Sequence, residues 1–184
     1  MNKKLEYWLK EGKQSKITPL IKKIVKEFDG KNEYEKIYQI LNWIEKNTFH
    51  KYNHKKFEND FANRTAEKII KDKFTLGCHD NALLTATFLR AINIPAKFIE
   101  GIDKLDPHNK GHCVVEAHIK RKWILIDPCR YILSLKPSRN QFYKENYIIG
   151  KGLDPEDIGI KKFDSWKKKS KSIIKYIENI SNYS

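Results

Sequence analysis

The chain has 184 residues, of which 33% are charged, and a formal net charge of +14. That length fits one domain of ordinary size. Its 9 Phe, 9 Tyr and 4 Trp can build a core, which excludes a disordered chain, and 8 Gly with 6 Pro exclude a collagen-like one. Three Cys cannot all pair within the chain, so we expect a reducing, cytoplasmic setting.

The amino terminus begins with positive charge, but charged residues interrupt every apolar run before the core of an export signal can form. The best apolar stretch, residues 147–150, has only the length of a strand. We therefore expect a soluble protein with no signal peptide and no membrane span.

The positive charge is spread along the chain and is densest in residues 161–184, where Lys167, Lys168, Lys169 and Lys171 lie close together. Such a run can contact phosphates, but it is more often the solvated face of a helix. Nucleic acid is therefore the secondary hypothesis for a partner.

Apolar residues spaced by three and four predict amphipathic helices over residues 17–28 and 34–47. Residues 48–63 have no clean period and predict an irregular crossing, and residues 65–71 predict a short helix. From Cys78 onward, small and apolar residues predict a helix that ends before Asn93-Ile94-Pro95.

After Pro95 the sequence becomes rich in β-branched and aromatic residues. It predicts strands over residues 96–102, 113–119 and 123–127, a further short strand over 147–149, and a closing helix over 163–180. Helices followed by strands indicate an α+β fold with an antiparallel sheet.

We expect residues 1–184 to form a single domain. Its core would span about 33–150, with the N-terminal helices in 1–30 and the C-terminal helix in 161–184 as appendages.

Cys78 lies where the sequence predicts the first turn of a helix, directly after Gly77. The unpaired N–H groups and the dipole of a helix start stabilise a thiolate, and the same groups can bind an oxyanion that forms on a carbonyl. Against this, Asp80 in the same turn would raise the thiol pKa, and free cysteines are often only small buried residues. Cys78 alone therefore does not establish a nucleophile.

Residues 111–119 and 123–127 predict a β-hairpin. If its turn is centred between Lys120 and Arg121, His112 lies diagonal to Asp127 on one face of the sheet. A cysteine enzyme needs this contact, because the imidazole takes the thiol proton and the carboxylate orients the ring. The prediction depends on the register, and Lys-Arg is an unfavourable pair for a two-residue turn.

Several segments together resemble the transglutaminase-like superfamily, whose fold is papain-like. The segments are 64–70, 77–82, 88–97, 112–116 and 123–128. The resemblance covers roughly residues 63–128 and implies that Cys78, His112 and Asp127 are the catalytic residues. It also implies a nucleophile at a helix N-terminus packed on an antiparallel sheet. We expect no cofactor and no metal, since neither an acidic calcium loop nor a C-x2-C zinc motif is present.

Three positions depart from the pattern of that family. Val114 stands where an aromatic residue often follows the histidine, Lys97 replaces an arginine, and Asn93 replaces a glycine. These changes concern the substrate cleft and leave the triad complete. We expect Trp123 to be a core aromatic and Glu116 to be a solvated strand residue.

Zinc is a competing use of the cysteines and histidines. The candidate ligands are Cys78, His79, His112, Cys113, His118 and Cys129. The spacing argues against such a site, because consecutive strand residues such as His112 and Cys113 point to opposite faces. We expect Cys113 and Cys129 to be core or edge residues. The histidines expected to have no catalytic role are His50, His54, His79, His108 and His118, although His79 is close enough to Cys78 to tune it.

The leading hypothesis for function is cysteine-dependent acyl transfer on a peptide or isopeptide amide of a protein or peptide substrate. Transfer of the acyl group to water makes a protease or amidase, and transfer to a lysine amine makes a transglutaminase. The alternative is a non-catalytic binding module that uses the basic segment 161–175 to hold nucleic acid or an acidic partner.

Overall fold

The computed structural model describes residues 3–51 and 55–181, so His54 lies outside the described residues. The helices are α1 (Lys3–Tyr7), α2 (Pro19–Ile24), α3 (Glu33–Asn47), α4 (Phe57–Asp60), α5 (Ala66–Asp72), α6 (Cys78–Ala91), α7 (Gln141–Glu145) and α8 (Phe163–Ser181). The strands are β1 (Phe49–His50), β2 (Phe74–Thr75), β3 (Ala96–Asp103), β4 (Gly111–Ile119), β5 (Lys122–Asp127), β6 (Ile132–Ser134) and β7 (Asn146–Gly152).

Side-chain caps explain where the amino-terminal helices begin. Thr18 accepts a hydrogen bond from the backbone of α2, which then starts at Pro19 and tightens into the 3-10 turn Val25–Glu27. The single helix predicted over 17–28 is therefore shorter than expected. Asn32 caps α3 in the same way. The stretch predicted to be irregular contains the two short elements β1 and α4.

The main sheet has five strands in the order β6-β5-β4-β3-β7, and every neighbouring pair is antiparallel. This sheet and the helices that precede it confirm the α+β fold. β1 and β2 form a separate parallel pair.

The β4–β5 hairpin has the predicted register, with Val115 opposite Ile126 and Ile119 opposite Lys122. Its turn residues Lys120 and Arg121 have φ of 45° and 67°. Both are left-handed, as the tight turn that matches strand twist requires, although neither residue is glycine. Asn93, which replaces the glycine usual in the family, likewise has a φ of 63° at the end of α6.

Helix α6 packs on β3 and β4 within the larger hydrophobic core, which also receives Trp166 and Ile174 of α8. The opposite face of the sheet carries a smaller core of Ile99, Val114, Leu125 and Phe142. This arrangement places the start of α6 against the beginning of β4.

The basic run of α8 has the character expected of a solvated helix face. Lys167, Lys168 and Lys171 are exposed, whereas Lys169 donates to the carbonyl oxygen of Ile158 at 2.6 Å. Within residues 3–51 and 55–181, no helix is long and apolar enough to cross a membrane.

Candidate active site

Gly77 sets the position of Cys78. It is the N-cap of α6 with φ 127° and ψ −149°, a backbone conformation that side chains rarely allow. Cys78 is therefore the first residue of a 14-residue helix, and it is half-buried. The first-turn N–H groups of a helix have no partner inside the helix, so this end can supply donors to an oxyanion.

The hairpin brings His112 and Asp127 together. His112 Nε2 lies 2.8 Å from Asp127 Oδ2. The other carboxylate oxygen of Asp127 accepts hydrogen bonds from the backbone N–H groups of Cys129 and Arg130 at 3.1 and 3.2 Å. Asp127 is 3% exposed, so these bonds fix a buried carboxylate.

Cys78 and His112 lie close enough for each to shift the pKa of the other, in opposite directions, which links the third predicted site residue to the pair. Because Nε2 of His112 faces Asp127, Nδ1 is the nitrogen left for the thiol. The structure thus brings all three residues into one connected group.

The charges of this group favour a thiolate beside an imidazolium. The pKa of Cys78 is lowered well below its usual range, first by a hydrogen bond from Cys113, with burial opposing and His112 adding to the effect. Burial would lower the pKa of His112, but Asp127 and Cys78 together raise it to about 10. Both shifts favour the form in which the shared proton resides on the imidazole.

Asp80, which lies in the same helical turn as Cys78, has a cationic partner. Its carboxylate pairs with the guanidinium of Arg64, and both side chains are almost fully buried. It also accepts a hydrogen bond from the backbone N–H of Leu76 at 2.7 Å. Asp80 therefore ties the loop before Gly77 to the first turn of α6.

A buried polar cluster lies on the core side of Cys78. Glu100 is 1% exposed and accepts from the Cys113 thiol at 2.6 Å and from Trp166 Nε1 at 2.8 Å. His79 Nε2 lies 2.6 Å from the same Glu100 oxygen that Cys113 contacts. Sequence reasoning missed Glu100, although one acidic residue in the otherwise apolar run 98–102 was a usable signal.

The ligand atoms of His79, Glu100 and Cys113 lie within 4.8 Å of one another, so these residues could hold a metal ion. This set differs from the zinc set considered from the sequence. His118 instead packs against Trp123 with ring centroids 5.1 Å apart, and Cys129 accepts from the Asn81 amide at 3.3 Å. Cys113 is fully buried, which confirms its expected core position, whereas Cys129 is exposed in the turn that follows β5.

Two expectations for the sheet surface were wrong. Glu116, expected to be solvated, is 5% exposed and accepts hydrogen bonds from Lys97 Nζ at 2.9 Å and Tyr143 OH at 2.6 Å. Trp123, expected in the core, is half-buried beneath Lys97 Nζ, which lies 3.4 Å from its ring centroid. Lys97, one of the three departures from the family pattern, thus has both an ionic and an aromatic partner.

Two clefts border the candidate site, one at Gly77 and one at His112. One cleft of about 390 Å³ is lined by residues that include Thr48, His50, Gly77, Asn81, Cys129 and Tyr131. A second of about 320 Å³ is lined by residues that include Asp103, Lys110, His112, Arg130, Glu145 and Asn146.

Comparisons with solved structures find similar folds. A proposed cysteine protease from Cytophaga hutchinsonii shares 24% identity with a TM-score of 0.64, over 85% of this chain and 50% of that one. A TGase shares 16% identity with a TM-score of 0.45, over 67% of this chain and 33% of that one. A proposed protease from Parabacteroides distasonis shares 14% identity with a TM-score of 0.46, over 72% and 29%. The chain thus spans half the length of the first of these proteins.

No curated protein matches the chain. The sequence profile of the transglutaminase-like superfamily matches residues 22–128, which is more than half of the chain and contains Cys78, His112 and Asp127. The chain belongs to the transglutaminase-like superfamily.

Proposed function

We propose that this protein is a cysteine-dependent amide acyl-transfer enzyme in which Cys78, His112 and Asp127 form the catalytic triad. The observation that carries the proposal is the 2.8 Å contact of His112 Nε2 with the Asp127 carboxylate, together with the position of Cys78 as the first residue of α6. The opposite pKa shifts of Cys78 and His112 support it, because they favour the ion pair that such enzymes use.

The reaction would proceed in two steps. In the first, the Cys78 thiolate attacks the amide carbonyl carbon, the backbone N–H groups at the start of α6 hold the oxyanion, and His112 donates its proton to the leaving amine. In the second, His112 takes a proton from the incoming acceptor, which attacks the thioester and releases Cys78. Asp127 keeps the imidazole oriented through both steps.

We propose water as the acceptor, which makes the protein a hydrolase of peptide or isopeptide bonds. The clefts that border Gly77 and His112 support a substrate that extends beyond the amide itself. Transfer to an amine uses the same triad, so it needs a separate measurement.

Labelling with an electrophilic peptide that mimics an acyl donor tests the nucleophile. We expect the label on Cys78 and complete loss of labelling in Cys78→Ala, whereas the matched variant Cys129→Ala, which removes an exposed thiol, keeps it. Labelling that persists unchanged in Cys78→Ala rejects the site. Hydrolysis of fluorogenic peptides, run beside incorporation of a fluorescent primary amine, separates water from amine as the acceptor.

A further inference from the structure

Three buried polar side chains that the proposed mechanism does not use meet beneath the start of α6. His79 is the second residue of α6, Glu100 lies on β3 and Cys113 lies on β4. Glu100 and Cys113 are direct partners in the β3–β4 ladder. The ligand atoms of all three residues lie within 4.8 Å of one another. An imidazole, a carboxylate and a thiol thus face each other away from solvent.

The imidazole of His79 is buried without good hydrogen bonds. It is 5% exposed, and within residues 3–51 and 55–181 neither of its ring nitrogens makes a hydrogen bond of acceptable geometry. Its Nε2 lies 2.6 Å from Glu100 Oε2, a close contact that is not aligned as a hydrogen bond. Phe61 and Phe98 pack on the ring, with centroids 4.3 and 5.6 Å away. Since buried polar groups nearly always have a partner, this ring points to a ligand.

Glu100 presents one oxygen to both neighbours. The Cys113 thiol and His79 Nε2 each lie 2.6 Å from Oε2. Trp166 Nε1 donates to the other oxygen, Oε1, at 2.8 Å. An outer hydrogen bond of this kind orients a carboxylate that binds a metal ion. Oε2 is therefore held between a sulfur and a nitrogen, where it can share an ion with them.

We propose that His79 Nε2, Glu100 Oε2 and Cys113 Sγ form a binding site for a zinc ion. Zinc takes these three kinds of ligand at about 2.0–2.3 Å, and many sites use three side chains and leave the fourth position to another group. A thiol that binds zinc is deprotonated, so the thiolate and the carboxylate together balance the two charges of the ion. A site of sulfur and imidazole ligands favours zinc over magnesium, calcium or manganese.

The spacing of the ligand atoms suits such an ion. Tetrahedral ligands at those bond lengths lie about 3.3–3.7 Å apart. The separations here run from 2.6 Å to no more than 4.8 Å, so side-chain shifts of about 1 Å bring the three atoms to the required distances.

A bound ion would join the elements that carry the proposed triad. His79 follows Cys78 in α6, and Cys113 follows His112 in β4. The ion would connect α6 to both strands and stabilise the folded state, because the unfolded chain does not hold its ligands together. The site uses no residue of the triad, so the inference goes beyond the proposed function and does not depend on it.

Cobalt(II) is the probe for this site, because bound zinc gives no visible spectrum. A cysteine sulfur bound to Co²⁺ produces a near-ultraviolet charge-transfer band that carboxylate and imidazole ligands do not produce. Titration of the full chain, kept reduced, should give a band that saturates at one equivalent. Added Zn²⁺ should remove the band, since zinc competes for the same ligands.

Variants identify the sulfur that binds. Cys78→Ala and the matched variant Cys129→Ala keep Cys113 and should keep the band, whereas Cys113→Ala should lose it. Cys113→Ser, which keeps the size and polarity of the side chain, replaces the alanine variant if that variant fails to fold, and it should also lack the band. Glu100→Gln retains an acceptor for Trp166 but removes a charged ligand, so cobalt affinity should fall at least about tenfold.

Thermal unfolding gives a second readout. With Zn²⁺ at about a hundred times its dissociation constant, the Tm of the parent should rise by about 5–10 °C, and the Tm of Cys113→Ser should not change. Equal shifts in the two proteins overturn the inference. So does a parent without the band in a large excess of cobalt, or a band that Cys78→Ala or Cys129→Ala removes and Cys113→Ala keeps. These measurements need no substrate, so their outcome is separable from that of the proposed function.

Discussion

Replacing Asp127 by Asn tests how the imidazolium of His112 is held. The change removes one charge and keeps the shape of the side chain. The amide oxygen of the new side chain would still accept the hydrogen bonds that Cys129 and Arg130 donate to Oδ1, so the turn after β5 should keep its conformation. What is lost is the charged partner that lies 2.8 Å from His112 Nε2.

The size of the expected effect follows from the groups that set the pKa of His112. Burial lowers the pKa of His112, and the hydrogen bond to Asp127 is the largest contribution that raises it, to about 10. A hydrogen bond to a charged group contributes about 1.5–3 kcal/mol, and one pKa unit corresponds to about 1.4 kcal/mol. We therefore expect Asp127→Asn to lower the pKa of His112 by about one to two units.

Titration of the ¹⁵N-labelled imidazole of His112 by NMR measures this pKa directly. The His112 signals are assigned by their absence in His112→Gln. Asp164→Asn, which removes an equal charge from the exposed start of α8, is the control and should leave the titration unchanged. In hydrolysis the alkaline limb of the pH profile should move down by the same amount, so activity is lost first above about pH 8. A shift smaller than about half a unit would show that Asp127 does not stabilise the imidazolium.

Two further substitutions test the partners of buried carboxylates, those of Asp80 and Glu116. Arg64→Leu leaves the buried carboxylate of Asp80 without its cation, so urea unfolding should show a loss of about 3–5 kcal/mol, whereas Lys68→Leu, which breaks an exposed pair with Asp72, should cost under about 1 kcal/mol. An equal, small loss in both variants would contradict the first expectation. Burial opposes ionisation of Glu116, but hydrogen bonds from Tyr143 and Lys97 lower its pKa overall. Its stabilising contribution is therefore present above about pH 4.5 and is lost as pH falls through the lowered value. The unfolding free energy of Glu116→Gln should accordingly fall less steeply in acid than that of the parent, and parallel curves would refute this.

The hairpin and α6 could be predicted because each follows a local rule. The runs 113–119 and 123–127 are apolar on both faces, so the short connection at Lys120–Arg121 is what predicts their register. A two-residue turn then fixes His112 against Asp127, and the observed pairing confirms that register. Gly77 followed by small residues likewise marks the start of α6.

The missed elements depend on contacts that no local pattern encodes. β1, β2 and β6 have two or three residues each, too few to show a period, and they exist through pairing with a neighbour. The pairing of Glu100 with Cys113 depends on the register of β3 and β4, whose connection over residues 104–110 follows no tight-turn rule. The extent of the domain, residues 1–184, stays a prediction.

The register of the hairpin leaves one edge of β4 open beside the candidate site. Along Gly111–Val114, β4 pairs with β3 on one side, whereas in the described part of the chain its pairing with β5 begins only at Val115. One edge of β4 is therefore left without a neighbouring strand where β5 ends at Asp127. His112 lies in this stretch and lines a cleft, whereas a position in the middle of the sheet would have a strand on each side. The early end of the β4–β5 ladder thus leaves His112 open to the cleft while its Nε2 stays 2.8 Å from the Asp127 carboxylate.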